Sequence, residues 1–139
     1  MKRVLFDTNI ILDVLLDRQP YSEASATAWA AVETGVAEGM LAAHAVTTLH
    51  YLVRKEMGSA KTKRLLSVIL SVFGVAAVDT AVIQEALQLA FADFEDAVTA
   101  AAARMAGCVY IVTRDPKGFR GSLVRTLTPE AVMPLLVKD

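Results

Sequence analysis

Asp7 closes a short apolar run, Val4-Leu5-Phe6, and Asp115 follows another, Val109 to Val112, with Thr113 and Arg114 between. Two more carboxylates, Asp93 and Asp96, stand in Asp93-Phe94-Glu95-Asp96, at the head of an alanine-rich stretch. If the two apolar runs are strands of one sheet, Asp7 and Asp115 project from the same edge. Asp96 then falls in the first turn of a helix, where unpaired backbone N–H groups and the helix dipole favour an ionised carboxylate. Converging carboxylates repel one another unless a cation sits among them. A hard divalent ion such as magnesium meets that need, because it prefers oxygen ligands, keeps several waters and asks for only one or two carboxylates. The chemistry available to such a cluster is hydrolysis by metal-activated water. Asp79-Thr80, after Val75 to Val78, is a control within the chain. It too is an aspartate between a strand and a helix, and a single aspartate so placed is mostly a helix cap. Asp93 and Asp96 can likewise be a cap and the acid three residues on, with no metal at all.

The elements that must carry these residues alternate along the chain. Val4 to Phe6 reads as a strand, and Ile10, Ile11, Val14 and Leu15 recur at helical spacing up to a stop at Pro20. Ser22 opens a helix to Gly35 that carries Trp29 toward the core, and Met40 to Ala43 is a second strand. Val46, Leu49, Leu52 and Val53 form the next helical stripe, broken at Gly58, and Leu65 to Phe73 form another, ending at Gly74. Val75 to Val78 is strand-like, Thr80 to Phe91 and Phe94 to Met105 are helical, and Val109 to Val112 is the most strand-like run of all. Strands that alternate with helices, without hairpin turns, predict one α/β/α domain over residues 1–139, with a parallel sheet of four to five strands flanked by helices. In such a sheet the ligand site lies beyond the carboxyl ends of the central strands, near the topological switch point.

Composition narrows the class further. The 139 residues are 55% hydrophobic, yet no uncharged stretch approaches the roughly 20 residues of a membrane span, so no membrane role is expected. Such apolarity in one small domain predicts surface covered by a second subunit or a partner, with a homodimer as the default. Net charge is −1, which excludes broad electrostatic binding of nucleic acid and requires any such contact to be local. Basic residues gather in two groups: Arg54, Lys55, Lys61, Lys63 and Arg64, then Arg114, Lys117, Arg120 and Arg125. The first group reads equally well as ordinary solvated surface. Cys108 is the only cysteine, and the start is not leader-like, so the chain is expected in a reducing cytoplasm.

In order and spacing, Asp7-Thr8-Asn9, Asp96-Ala97-Val98 and Thr113-Arg114-Asp115 resemble a PIN domain, the fold of the VapC-type toxins. The opening Phe6 to Leu16 and the box Asp93-Phe94-Glu95-Asp96-Ala97 are similar to those of a bacterial PIN subgroup. The resemblance spans nearly the whole chain. It implies a ribonuclease using Mg2+ or Mn2+, with Asp7, Asp96 and Asp115 as metal ligands, Asp93 as a fourth carboxylate, and Asn9 and Thr113 in support. Arg114, Lys117 and Arg120, beside Asp115, would contact RNA phosphates, which positions a strand without reading its sequence. It further implies a small antitoxin as partner. The sequence departs from the family at His50, aligned with a helical glutamate of many members, and at Gly118, where relatives often carry another aspartate. Asp13 is set outside the site, as a capping or hydrogen-bonding residue.

Two rivals follow from the same residues. Aspartyl-phosphate phosphatases also place an aspartate after the first strand, as nucleophile. They typically carry a second aspartate two residues on, where this chain has Asn9. A degenerate PIN scaffold that binds RNA or a partner without cutting is the other, motivated by the missing glutamate.

Overall fold

The computed structural model describes residues 1–137. Five strands form one sheet: β1 (Lys2–Phe6), β2 (Ala37–Ala42), β3 (Gly74–Ala76), β4 (Tyr110–Val112) and β5 (Arg125–Leu127). Their order is β3-β2-β1-β4-β5 and every pairing is parallel. The central position of β1 follows from its sequence. Side chains alternate across a strand, and both faces of this one are apolar: Val4 and Phe6 enter one core, Leu5 the other.

The first core gathers α1 (Thr8–Leu15), α2 (Ser22–Glu33), α3 (Ala43–Met57), α4 (Ser59–Val72) and α7 (Pro129–Leu136). Phe73 is its pivot, meeting Phe6 at 5.1 Å and Trp29 at 5.3 Å between ring centroids, both edge to face. That geometry suits aromatic quadrupoles. Trp29 is buried, as its place in the helical stripe predicted. The second core lies under α5 (Thr80–Gln88) and α6 (Phe94–Met105). Ala97 and Ala100 to Ala103 are all buried, and these small side chains bring α6 close to β2, β4 and α5.

Several boundaries differ from the sequence reading. The second strand begins at Ala37 and ends at Ala42, and Ala43 opens α3. The fourth helix begins at Ser59, because Gly58, at φ 78°, turns the chain directly from α3 into α4. The helix after Asp79 stops at Gln88 instead of Phe91. The edge strand β5 and the terminal helix α7 were not anticipated at all. Among the described residues no helix is long and apolar enough to cross a membrane.

Candidate active site

The switch point lies between β1 and β4, from which the chain proceeds in opposite directions across the sheet. Asp7 leaves β1 here. Its backbone N–H donates to the Val112 carbonyl of β4 at 2.9 Å, and its carboxylate caps α1 by accepting from the Thr8 N–H at 2.8 Å. The other Asp7 oxygen accepts from the Thr113 hydroxyl at 2.8 Å. Thr113 is fully buried and acts as a hub. Its Oγ1 also accepts from the Asn9 amide at 3.3 Å and the Asp115 N–H at 3.2 Å, while Asn9 Oδ1 receives the Arg114 N–H at 3.4 Å. Asp7, Asn9, Thr113 and Asp115 are thus tied into one network across the two strand ends.

Asp96 arrives on the first turn of α6. Asp93 caps that helix, its carboxylate accepting the Asp96 N–H at 3.1 Å. Asp93 is exposed and caps the helix while its charge still acts on Asp96; the Asp79 carboxylate accepts the same capping bond, from the Val82 N–H at 3.0 Å. Asp96 and Asp115 converge: one Oδ2 of each lies within 3.5 Å of the point where a Cβ on Gly118 would sit. Glycine leaves that cradle open. Burial, followed by the charges of Asp7, Asp93, Asp115 and Glu95, pushes the Asp96 carboxyl up to about 6. Burial also raises Asp7, opposed by its bonds to Thr113 and Thr8 and by the charges of His44 and Arg114.

A cavity of about 230 Å³ opens between these groups, lined by Asp7, Asn9, His44, Thr48, Glu95, Asp96 and Thr99 among others. His44 Nε2 is 3.2 Å from both the Glu95 carbonyl and the Thr99 hydroxyl, so the carbonyl fixes a proton on that nitrogen. His44 Nδ1 is buried without a protein partner. His44, Thr48, Glu95 and Thr99 were missed by the sequence reading. His44 and Thr48 are four residues apart on α3 and share its face. The helix position that faces the carboxylates is therefore Thr48, not His50, which does not line the cavity.

The expected basic contacts divide. Lys117 and Arg120 are exposed on and just after the 3-10 turn Pro116–Phe119 that follows Asp115. Arg114 is not available in the same way. Its Nε lies 2.8 Å from Asp13 Oδ2, and its guanidinium sits 4.0 Å from the centroid of the Tyr21 ring. Asp13 is completely buried, accepts a further bond from Ser25 Oγ at 3.2 Å, and takes no part in the carboxylate cluster. Cys108 is buried, with its thiol pushed up to about 11 by that burial, which makes it unreactive.

The donor set fits a hard divalent cation. It is all oxygen, and the Asp96 carboxyl, raised first by burial, is raised further by the neighbouring charges of Asp7, Asp93, Asp115 and Glu95, a repulsion that a cation would relieve. Among the described residues no group of three or more His, Cys, Asp or Glu side chains is placed to hold a metal ion. An ion here would be held by one or two carboxylates and would keep much of its water.

A PIN domain family model matches residues 3–117, and the chain belongs to that family. No curated protein sequence matches it significantly. Among solved structures, the chain is similar to VapBC2 from Rickettsia felis bound to a promoter DNA fragment, at 13% identity and a TM-score of 0.72, covering 91% of this chain and 98% of that one. It is similar to FitAcB from Neisseria gonorrhoeae at 22% identity and a TM-score of 0.68, over 91% and 98%. It is also similar to Mycobacterium tuberculosis VapC20, a toxin that cleaves the sarcin-ricin loop, at 16% identity and a TM-score of 0.61, over 78% and 86%. At these identities the likeness is one of fold.

Proposed function

We propose that this chain is a Mg2+- or Mn2+-dependent endoribonuclease and the toxin of a VapBC-type toxin–antitoxin pair, acting in the cytoplasm. The observation that carries the reading is that Asp7 and Asp96 line one cavity at the switch point while Asp96 and Asp115 meet across the open cradle of Gly118. Family membership and the sarcin-ricin loop cleavage of the VapC20 relative support it. Asp7 and Asp96 would hold the ion, Thr113 fixes the orientation of the Asp7 carboxylate through one of its oxygens, and Asp115 would complete the acidic edge. When bound, the ion would lower the pKa of a coordinated water and offset charge on the phosphate. Lys117 and Arg120 would meet flanking phosphates from the exposed turn.

The partner is a small antitoxin. An apolar groove lined by Val14, Leu15, Trp29, Leu65, Val68 and Ile69 supports this, because an amphipathic helix fits such a groove. A further solved structure of similar fold, from Klebsiella pneumoniae, is a toxin–antitoxin complex. A homodimer is the expected assembly, supported by the exposed apolar side chains of Tyr51, Leu87 and Leu123.

The test is cleavage of a long labelled RNA by partner-free protein with Mn2+, with chelator, and with Asp96→Asn purified identically. Metal-dependent cutting by wild type alone is the expected result. Equal cutting by both proteins would mean contamination or a misassigned site. One observation favours a second reading: Thr48 occupies the α3 position that faces the carboxylates, leaving the acidic set thin. Silence from both proteins, with no Mn2+ binding by calorimetry, would favour a non-cutting scaffold.

A further inference from the structure

We propose that Arg114 and Asp13 form a positioning pair that sets the placement of Thr113 and Asp115, and that Arg114 is not a contact for substrate. The inference rests on the reading of Asp7, Asp96 and Asp115 as the nuclease centre. Arg114 lies between Thr113, which holds Asp7, and Asp115. It is the one residue of this trio whose side chain leaves the site. Two residues on a single face of α1 receive it: Asn9 Oδ1 accepts its backbone N–H at 3.4 Å, and Asp13, one turn further along, lies 2.8 Å from its Nε. Tyr21, just before α2, closes over the guanidinium at 4.0 Å, and Ser25 on α2 holds the same Asp13 oxygen at 3.2 Å.

The chemistry makes this pair obligatory for the local backbone. Asp13 is fully buried and its Oδ1 has no hydrogen-bond partner, while Arg114 Nε lies 2.8 Å from Oδ2 as an ion pair without hydrogen-bond alignment, so the charge of Asp13 is met by the Arg114 cation and the Ser25 hydroxyl. Arg114 in turn supplies a planar cation that both stacks on Tyr21 and meets the carboxylate, which an ammonium does not reproduce. Pulling the guanidinium toward α1 and α2 fixes the main chain at residue 114, and with it the N–H of Asp115 that bonds to Thr113 at 3.2 Å. The loop bearing two members of the site is therefore registered against α1 from its far side. A phosphate contact would require the side chain to leave Asp13 uncompensated.

The pair can be tested apart from its contribution to folding. The double variant Asp13→Leu, Arg114→Met replaces the ion pair with apolar side chains of comparable reach, an exchange that often leaves stability unharmed. Arg114→Lys serves as a second, milder variant should the double variant fold poorly. Amide hydrogen exchange in metal-free protein is expected to accelerate at least tenfold at Arg114 and Asp115, with the melting temperature within a few degrees of wild type. Mn2+ affinity by calorimetry, and kcat in RNA cleavage, should each fall about tenfold or more while KM and its salt dependence stay put. Unchanged exchange and Mn2+ affinity would overturn the proposal, as would a loss confined to KM with a reduced salt slope, which is the signature of a phosphate contact. If wild type neither binds Mn2+ nor cuts RNA, the nuclease reading fails by itself, and the exchange rates still decide the role of the pair.

Discussion

Replacing Asp96 by Asn should stabilise the metal-free protein at neutral pH while abolishing its response to divalent ions. The carboxyl is pushed from an ordinary 3.8 up to about 6 by burial and by the charges of Asp7, Asp93, Asp115 and Glu95. A rise of about 2 units corresponds to roughly 3 kcal/mol between the protonated and ionised forms. Asp96 is only half buried, so solvent screening reduces this to about 1.5 kcal/mol. Losing a negative charge in the first turn of α6 gives back about 0.5 kcal/mol. The net expected gain is about 1 kcal/mol, or a melting temperature roughly 3–5 °C higher for a domain of this size. The direction with pH follows from linkage. A folded carboxyl that binds its proton more tightly than the unfolded one contributes stability fully present below about 3.8 and lost as pH rises through about 6. The advantage of Asp96→Asn should therefore be present at pH 7.5 and vanish near pH 4. Thermal unfolding in chelator at the two pH values measures this. Adding Mn2+ at about 100 times its dissociation constant should then raise wild type by about 2.7 kcal/mol and leave the variant unmoved. A variant less stable than wild type at pH 7.5 in chelator would refute the reasoning, since the Asp96 charge would then be favourable where it stands.

Gly118→Asp should add a carboxylate to the cradle between Asp96 and Asp115, lowering metal-free stability and tightening Mn2+ binding severalfold by calorimetry; weaker binding would mean that the new side chain obstructs the ion. The double variant Lys117→Glu, Arg120→Glu should weaken RNA binding and reduce its salt slope by about 2, one unit for each phosphate contact, with the melting temperature unchanged. An identical salt slope would remove both residues from the site. Gly39→Ala should cost about 2–3 kcal/mol in denaturant unfolding, because its Cβ would stand 2.7 Å from the Phe73 ring and 2.8 Å from Val32 in a packed core. Full stability of that variant would show that the Phe73 cluster is looser than its geometry indicates.

The fold was legible where its periodicity is strong and obscure where it is short. The opening Val4-Leu5-Phe6 announces a strand buried on both faces, and the alternation that follows can be satisfied only by a parallel sheet with helices on either side. β5 escaped notice because Arg125-Thr126-Leu127 is three residues long, lies at the sheet edge and carries an exposed arginine. α7 was hidden by Pro129 and Pro134, although Pro129 sits in the first turn, where its missing N–H costs nothing, and Thr128 caps the helix by accepting from Ala131. At Gly58 a helix break was read correctly, yet α4 was begun at Leu65, since Ser59 to Arg64 offers no apolar stripe before that point.

The site divides along a similar line. Residues at or just beyond strand ends, Asp7, Thr113 and Asp115, are placed by local sequence, because a strand end fixes where the next side chains project. Asp96 is placed by its helix start. What local sequence does not encode is which side chain crosses between elements. His50 and His44 are equivalent as letters, and only the phase of α3 turns His44 and Thr48 toward Asp7 while His50 stays out of the cavity. Asp13 and Arg114 are 101 positions apart, and each had a plausible separate use, one as a local cap and the other as a phosphate contact. A buried aspartate at α1, however, obliges the fold to bring a cation to it. The spacing Asp7, Asn9, Asp13, set against Thr113-Arg114, carries that information once it is seen as three contacts: the Asp7 carboxylate to the Thr113 hydroxyl, the Asn9 amide oxygen to the Arg114 main chain, and the Asp13 carboxylate to the Arg114 guanidinium. The chemistry of the first contact and the rigidity of the third are then parts of one device, which is why a side chain turned away from the acidic edge can govern how well that edge is formed.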